Sequence, residues 1–280
     1  MNREERIREM IQTGRNFMRP EKMAGSDLIE DYETDQNLKK PQPPLYKEPM
    51  GGKIIPLPTN YHDLTLKTDI VEILYKRKSS RVYTQEQMTL LELAYLLWAT
   101  QGVKEIRGNN YATLRTVACG GARHEFECYI AVRNVEGLEM GLYHYMPDRH
   151  AVELIKEIPI AEAYSEEMEK ALIGKKWAHI ANVVFFYSVI PYRAEWRYGI
   201  WSHRVQLIDS GHITQNLYVA CSGAENLGTC AIGELNGNYS DEIFGLDGEE
   251  EFIFYAAAAG KVSEANKKEE DAFYAFLKEE

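Results

Sequence analysis

The chain predicts an α+β domain. Helical and strand patterns alternate irregularly along it, hairpins stand among them, and no internal repeat is present. The strongest β signal is a meander, in which Cys128–Val132, a turn over Asn134–Gly137, Gly141–Tyr145 and Ala151–Ile155 follow at hairpin distances. Two further runs, 182–190 and 252–258, are apolar almost throughout, as strands buried on both faces should be.

From the N-terminus, Ile7, Met10, Ile11 and Phe17 lie close to a 3.6-residue repeat and predict a short amphipathic helix. Pro20, Pro41, Pro43, Pro44, Pro49, Pro56 and Pro58 put seven of the ten prolines into the first 58 residues, and the run 39–45 favours polyproline II. Residues 1–66 therefore read as an extended arm that dangles or wraps a partner subunit, and 67–280 as the folded domain. A helix over 69–78 is expected to bury Ile70, Ile73 and Leu74. The next opens at the capping box Thr89–Glu92, stops at Gly102, and carries a wide apolar face of Leu90, Leu93, Ala94, Leu97 and Trp98. Beyond the meander, Pro159 marks the first turn of a helix running to about Leu172. Residues 210–227 form a long helix with Ile213, Leu217, Ala220 and Ala224 inward, and 271–278 a short amphipathic one.

The 280 residues are 45% hydrophobic and 27% charged, and 32 Lys and Arg against 43 Asp and Glu leave a net charge of −11. A surface so acidic is repelled by phosphate backbones and anionic lipid, which argues against nucleic-acid and membrane partners. The charged start after Met1 and the lack of long apolar runs read as a soluble, cytoplasmic chain. Cys119, Cys128, Cys221 and Cys230 form no C-x-x-C pair and read as reduced thiols. The seven histidines lack metal-ligand spacing, and neither a phosphate-binding glycine loop nor G-x-S-x-G is present.

Three segments stand out. Residues 76–81, from Lys76 to Arg81, pack four cations and two hydroxyls into six positions, the donors that a dianionic phosphate needs. Cationic complementation of a helix C-terminus is the alternative. Cys119–His124 contains paired glycines, Gly120 and Gly121, that let backbone approach a flat ligand. Gly228–Gly237 is turn-rich, with N–H groups that could bond a heterocycle edge.

Taken in order, these segments resemble the FMN-dependent nitroreductase family, and within it the SagB-type, azoline-oxidase-like dehydrogenases, from about Val71 to Gly260. Residues 77–81 are similar to an R-x-S-x-R opening, 89–102 to an L-x-x-L-L-W-A-x-Q-G helix, 134–145 to a further segment of the branch, and 209–217 to D-x-G-H-x-x-Q-N-L. The resemblance implies an intertwined homodimer with two FMN sites at the subunit interface, the arm embracing the other subunit. It implies that Arg77, Lys78, Ser79 and Arg81 hold FMN, joined by Lys267 and Lys268, that Ile232, Gly233 and Glu234 face the ring near N5, and that Cys119, Gly120 and Gly121 border it from the partner chain. Ala118 and Cys119 replace a usual Pro-Ser, and Glu125 a proline. Azoline oxidases carry a Lys-Tyr pair where this chain has Arg197 and Tyr198, and an arginine stays protonated at neutral pH.

The function so implied is two-electron transfer by FMN, from a donor such as NAD(P)H to a nitro compound, quinone or related small molecule, with Tyr198 and Arg197 orienting substrate. Dehydrogenation of a peptide azoline or small metabolite is the alternative. A non-catalytic FMN- or peptide-binding component of a complex is a second one.

Overall fold

The computed structural model describes residues 2–19 and 32–275. Its centre is a seven-stranded, wholly antiparallel sheet in the order β1-β6-β5-β4-β7-β9-β8. The strands are β1 (Ile54–Pro56), β4 (Phe126–Val132), β5 (Gly141–Met146), β6 (Ala151–Glu157), β7 (Val183–Val189), β8 (Leu227–Ile232) and β9 (Phe252–Lys261). A separate hairpin pairs β2 (Val103–Arg107) with β3 (Ala112–Arg115).

Period-two alternation gives the sheet two apolar faces. One face, with Cys128, Ile130, Val183, Phe185 and Tyr187, packs on α3 (Leu90–Gln101) and α7 (Ser202–Gly223). The other, with Ala131, Val184, Phe186 and Ala258, packs on α4 (Ala161–Ala171) and α8 (Gly237–Phe244) through Tyr164, Met168 and Phe244. The meander, the capping box at Thr89 and Glu92, and the all-buried β7 stand where the sequence predicts them.

Several expectations are corrected. In α2 (Ile70–Lys76) only Ile73 is buried, while Ile70 and Leu74 are 54% and 52% exposed. This seven-residue helix meets α7 along one line, with Ile73 against Gly223, and its remaining apolar side chains point outward. Helix α7 begins eight residues before Ser210, in two turns whose apolar residues Leu207 and Ile208 point outward and do not extend the inward stripe of Ile213, Leu217 and Ala220, and it ends at Gly223. Leu227 and the first half of the turn-rich stretch instead form β8, in which Gly228 is required by close approach: a Cβ there would lie 2.7 Å from the Ser80 Cβ. The C-terminal helix, α9 (Glu264–Ala275), starts earlier than predicted, and residues 276–278 of the prediction lie outside the described residues. Unpredicted are β1, the β2–β3 hairpin, α5 (Lys176–His179), α6 (Pro191–Tyr198) and α8.

The two described parts of the arm, 2–19 and 32–66, differ in how they meet the domain. Helix α1 (Arg3–Met18) forms as expected and buries none of its residues. Residues 32–56, however, lie along their own chain: Gln36 N donates to the Trp196 carbonyl, β1 pairs with β6, and Gly52 N donates to Glu153 Oε1. Lys39, with φ +59°, sits in a turn over 35–39 where polyproline II was expected to start. Lys47 reaches the buried carboxylate of Glu251, which also accepts from Tyr129 and Ser188. Among the described residues no helix is long and apolar enough to cross a membrane.

Candidate active site

The predicted residues assemble into two sets. The first surrounds residues 77–81, an extended segment leaving α2. Alternate side chains of such a segment face opposite ways. Arg77 lies over the Tyr218 ring at 5.3 Å, Ser79 Oγ bonds the Tyr218 hydroxyl at 2.9 Å, and Arg81 lies over Trp177 at 5.7 Å. Lys76, Lys78 and Ser80 instead line a cavity of about 440 Å³, shared with Lys67, Lys267 and Thr229. Lys78 also pairs with Asp271 at 2.7 Å, and Arg81 with Glu270 at 3.8 Å. Backbone ties hold the segment on β8, Ser80 N donating to the Thr229 carbonyl at 2.9 Å, while the Tyr218 hydroxyl accepts from Ala231 N at 2.9 Å. Tyr218 thus organises both pieces; nothing in the sequence singled it out.

Ile232 is buried at the end of β8, and Gly233 and Glu234 are exposed just beyond it. Lys175 Nζ donates to the Glu234 carbonyl at 2.9 Å and bridges Glu234 Oε2 at 3.4 Å. Lys267 reaches into the cavity lining while paired with Glu264 at 2.7 Å; Lys268 is exposed and outside that lining.

The second set lies at the other end of α7 and joins Cys119–Gly121 to Arg197 and Tyr198. Gly121 has φ +56°, and a Cβ on it would stand 2.5 Å from Arg197 Nε and 2.6 Å from the Tyr198 hydroxyl. Gly120 N donates to Asp209 Oδ2 at 2.8 Å, anchoring the loop on α7. Arg197 Nη1 donates to the Tyr111 hydroxyl at 2.7 Å and to Gln36 Oε1 at 3.2 Å, so hairpin and arm both hold it. Arg123 lies over Tyr111 at 4.8 Å and over Trp196 at 5.5 Å. Asp209 and Tyr218 are nine positions apart, about 13 Å along a helix at 1.5 Å per residue. None of the described hydrogen bonds joins the two sets.

Beneath the second set lies a cluster of the half-buried Cys119 with the buried Glu125 and Asp209. Burial, with Glu125 and Asp209 beside it, pushes the Cys119 thiol far above its usual range, and Cys119 Sγ donates to Glu125 Oε2 at 3.2 Å. It is a half-buried thiol donor, not a thiolate. Burial and the Asp209 charge push Glu125 up to about 7. Burial and the neighbouring Arg115 push His124 down to about 2, so it is neutral while Nε2 lies 3.1 Å from the Thr113 carbonyl.

A pH dependence follows for this cluster. Glu125 has its native value raised from 4.5, so between these two values the native chain holds a proton that the unfolded chain has lost. Its contribution to stability therefore falls as pH rises through that window. The melting temperature is expected to decline between pH about 5 and about 8, and Glu125→Gln, which mimics the protonated acid, to flatten that decline. An identical decline in Glu125→Gln would refute the assignment.

Comparison with known proteins agrees with the fold. A model of the nitroreductase family matches residues 74–261, most of the chain. A Methanocaldococcus jannaschii protein named for the nitroreductases, MJ1384, is 33% identical over 172 residues, 61% of this chain and 82% of that protein. The trifolitoxin-processing protein TfxB of Rhizobium leguminosarum bv. trifolii is 26% identical over 184 residues, 59% of this chain and 49% of that one. A solved structure from Anabaena variabilis, also named for the nitroreductases, matches with a TM-score of 0.58 at 24% identity, over 76% of this chain and 42% of that chain. The chain thus spans about half of TfxB and less than half of the Anabaena protein. An antiparallel sheet between helical layers, R-x-S-x-R laid along its edge strand, and a family match running from α2 to the end of β9 lead to one conclusion: the chain belongs to the nitroreductase family of oxidoreductases.

Proposed function

We propose that the chain is an FMN-dependent oxidoreductase acting as a homodimer, which takes two electrons from a small-molecule donor such as NAD(P)H and passes them to a nitro compound, quinone or related acceptor. The cation-lined cavity beside residues 77–81, within a nitroreductase fold, carries this reading. The donor set fits FMN. Its phosphate is a dianion, and the segment offers charge-assisted donors on both of its faces, Arg77, Ser79 and Arg81 on the side of Tyr218 and Trp177, and Lys78 and Ser80 with Lys267 on the side of the cavity. When bound, the flavin supplies hydride chemistry. The chain's own residues anchor it, and the backbone of Ile232, Gly233 and Glu234 would border its ring.

Two observations support the dimer. The sets lie apart on one chain, so a second copy would bring its Cys119, Gly120 and Gly121 to the first set. Ile70, Val71, Leu74 and Tyr75 on α2, and Leu207 and Ile208 on α7, also form exposed apolar surface of the kind that association covers.

Arg197 remains a cation, its pKa raised further by the Tyr198 hydroxyl, so it binds and orients rather than moving a proton. Arg197→Ala is expected to raise the KM for a polar acceptor more than it slows flavin reduction by donor. Unchanged acceptor kinetics would remove Arg197 from the site. The similarity to TfxB favours a second reading, dehydrogenation of a peptide. Arg197, standing where azoline oxidases carry lysine, favours the first. The direct test is the visible spectrum of the purified protein, expected to show oxidised flavin that bleaches on reduction by NAD(P)H and recovers with a quinone or nitroaromatic. A colourless protein that takes up no added FMN would overturn the proposal.

A further inference from the structure

The arm lays one of its own side chains on the residue that orients substrate. Gln36 bridges Arg197 and Tyr111: its Oε1 accepts from Arg197 Nη1 at 3.2 Å, and its Nε2 donates to the Tyr111 hydroxyl at 2.9 Å. That hydroxyl also accepts from Arg197 Nη1 at 2.7 Å, so three hydrogen bonds close a ring around one carboxamide.

Such a ring reads chemistry as well as shape. A guanidinium can only donate, so it selects an acceptor oxygen; a phenol hydroxyl takes an amide N–H or gives its own proton to a second oxygen. An amine offers Arg197 no acceptor and repels its charge, so the site requires the carbonyl group. The walls are firm, with Tyr111 packed on Arg123 and Arg123 on Trp196. Arg197 Nε is buried and has no hydrogen-bond partner among the described residues, facing the place where Gly121 lacks a Cβ.

By contrast the strap holding Gln36 is a surface one. Gln36 N donates to the Trp196 carbonyl at 2.8 Å, Trp196 Nε1 to the Lys40 carbonyl at 3.0 Å, and the Tyr192 hydroxyl to Asp35 at 2.9 Å. Residues 35–40 touch α6 through these bonds without inserting a large apolar side chain into either core.

We propose that Arg197 and Tyr111 form a carboxamide-binding site which the chain fills with its own Gln36, and that a ligand bearing a primary carboxamide binds by displacing it. The proposal rests on Arg197 lying in the substrate site. Gln36 is tethered, so it competes at every protein concentration and lowers the apparent affinity of the ligand by the fraction of chains in which the strap is shut. Two sources offer this group, a nicotinamide ring and the side chain of asparagine or glutamine in a peptide.

The test is ligand-observed NMR on the full chain, its flavin content read from the visible spectrum, with nicotinamide, N-acetylglutamine amide and 3-picolylamine, which lacks the carbonyl, as probes. Gln36→Ala is expected to bind at least one of the two amides about tenfold or more tightly than the parent, with no comparable gain for 3-picolylamine. The amide that gains identifies the source. Tyr111→Phe in the Gln36→Ala background should erase the gain, and Gln36→Glu, isosteric and more strongly bound to Arg197, should bind amides no better than the parent. An unchanged affinity of Gln36→Ala for both amides, or an equal gain for 3-picolylamine, overturns the proposal. A flavin-loaded protein without the gain defeats this inference alone. A flavin-free protein that shows the gain keeps this site and defeats the flavin reading.

Discussion

Arg193→Ala is expected to destabilise the protein by about 3 to 5 kcal/mol, the usual cost of stripping one partner from a buried ion pair. Arg193 opens α6 just after β7 and places Nη1 2.6 Å from Glu127 Oε1 and 3.1 Å from the His124 carbonyl. Burial alone would raise the Glu127 pKa; Arg193, His144 and Arg115 outweigh it and hold the carboxyl below its ordinary value. Removing Arg193 strands a carboxylate in the sheet interior, with His144 Nε2 at 3.1 Å and the more remote Arg115 charge as its remaining support among the described residues. The melting temperature should fall by about 10 °C, at roughly 2 to 4 °C per kcal/mol for a domain of this size. Because the native Glu127 value is depressed, the stability it contributes is present at neutral pH and lost as pH falls toward that value. The gap between variant and parent should therefore narrow in acid. Arg193→Met combined with Glu127→Gln should cost less than Arg193→Ala alone. A loss that does not depend on Glu127 would show that Arg193 acts through the His124 carbonyl instead.

The second large effect concerns flavin retention. Arg77→Ala with Arg81→Ala removes two guanidinium groups, each worth about 1.5 to 3 kcal/mol when bonded to an anion. FMN affinity is expected to drop by a factor of about 100 or more, and the protein to purify without visible flavin. Arg81 is half-exposed and paired with Glu270, so its removal from the fold alone should cost little. Fluorescence titration with FMN measures the loss. A double variant with parental affinity would place the phosphate elsewhere, with the lysines of the cavity as the next group to replace.

What could be read from the sequence divides along physical lines. The meander and α3 were legible because period-two alternation and a capping box are local signals, and local signals survive folding. Strand β8 was not, since Gly228, Thr229, Cys230 and Ala231 include no large strand-former. The outward side chains of α2 misled for another reason: an apolar face says that something covers it, not that its own chain does. At the site, the cations of 77–81 and the Arg197–Tyr198 pair were visible by composition and motif. Gln36, Tyr111 and Tyr218 were not. Gln36 meets Arg197 across 161 positions and Tyr218 meets Ser79 across 139, contacts that only the completed topology creates. One missed signal was available: Pro191 directly after a buried strand announces a helix start, and α6 begins there.

The two margins of the central sheet bear on how copies of this chain meet. A bare strand margin offers unpaired N–H and C=O groups as a template for strand addition by another molecule, the usual start of cross-β aggregation. At one margin β1 is three residues long and ends on Pro56, which has no N–H to give. At the other, the Thr229 carbonyl is taken by Ser80 and the Ala231 N–H by Tyr218, so one acceptor and one donor of this edge are already engaged. Strand addition is hindered at these positions on both margins, so the proposed homodimer would be expected to meet through helical faces, where side-chain shape rather than backbone repetition sets the stoichiometry.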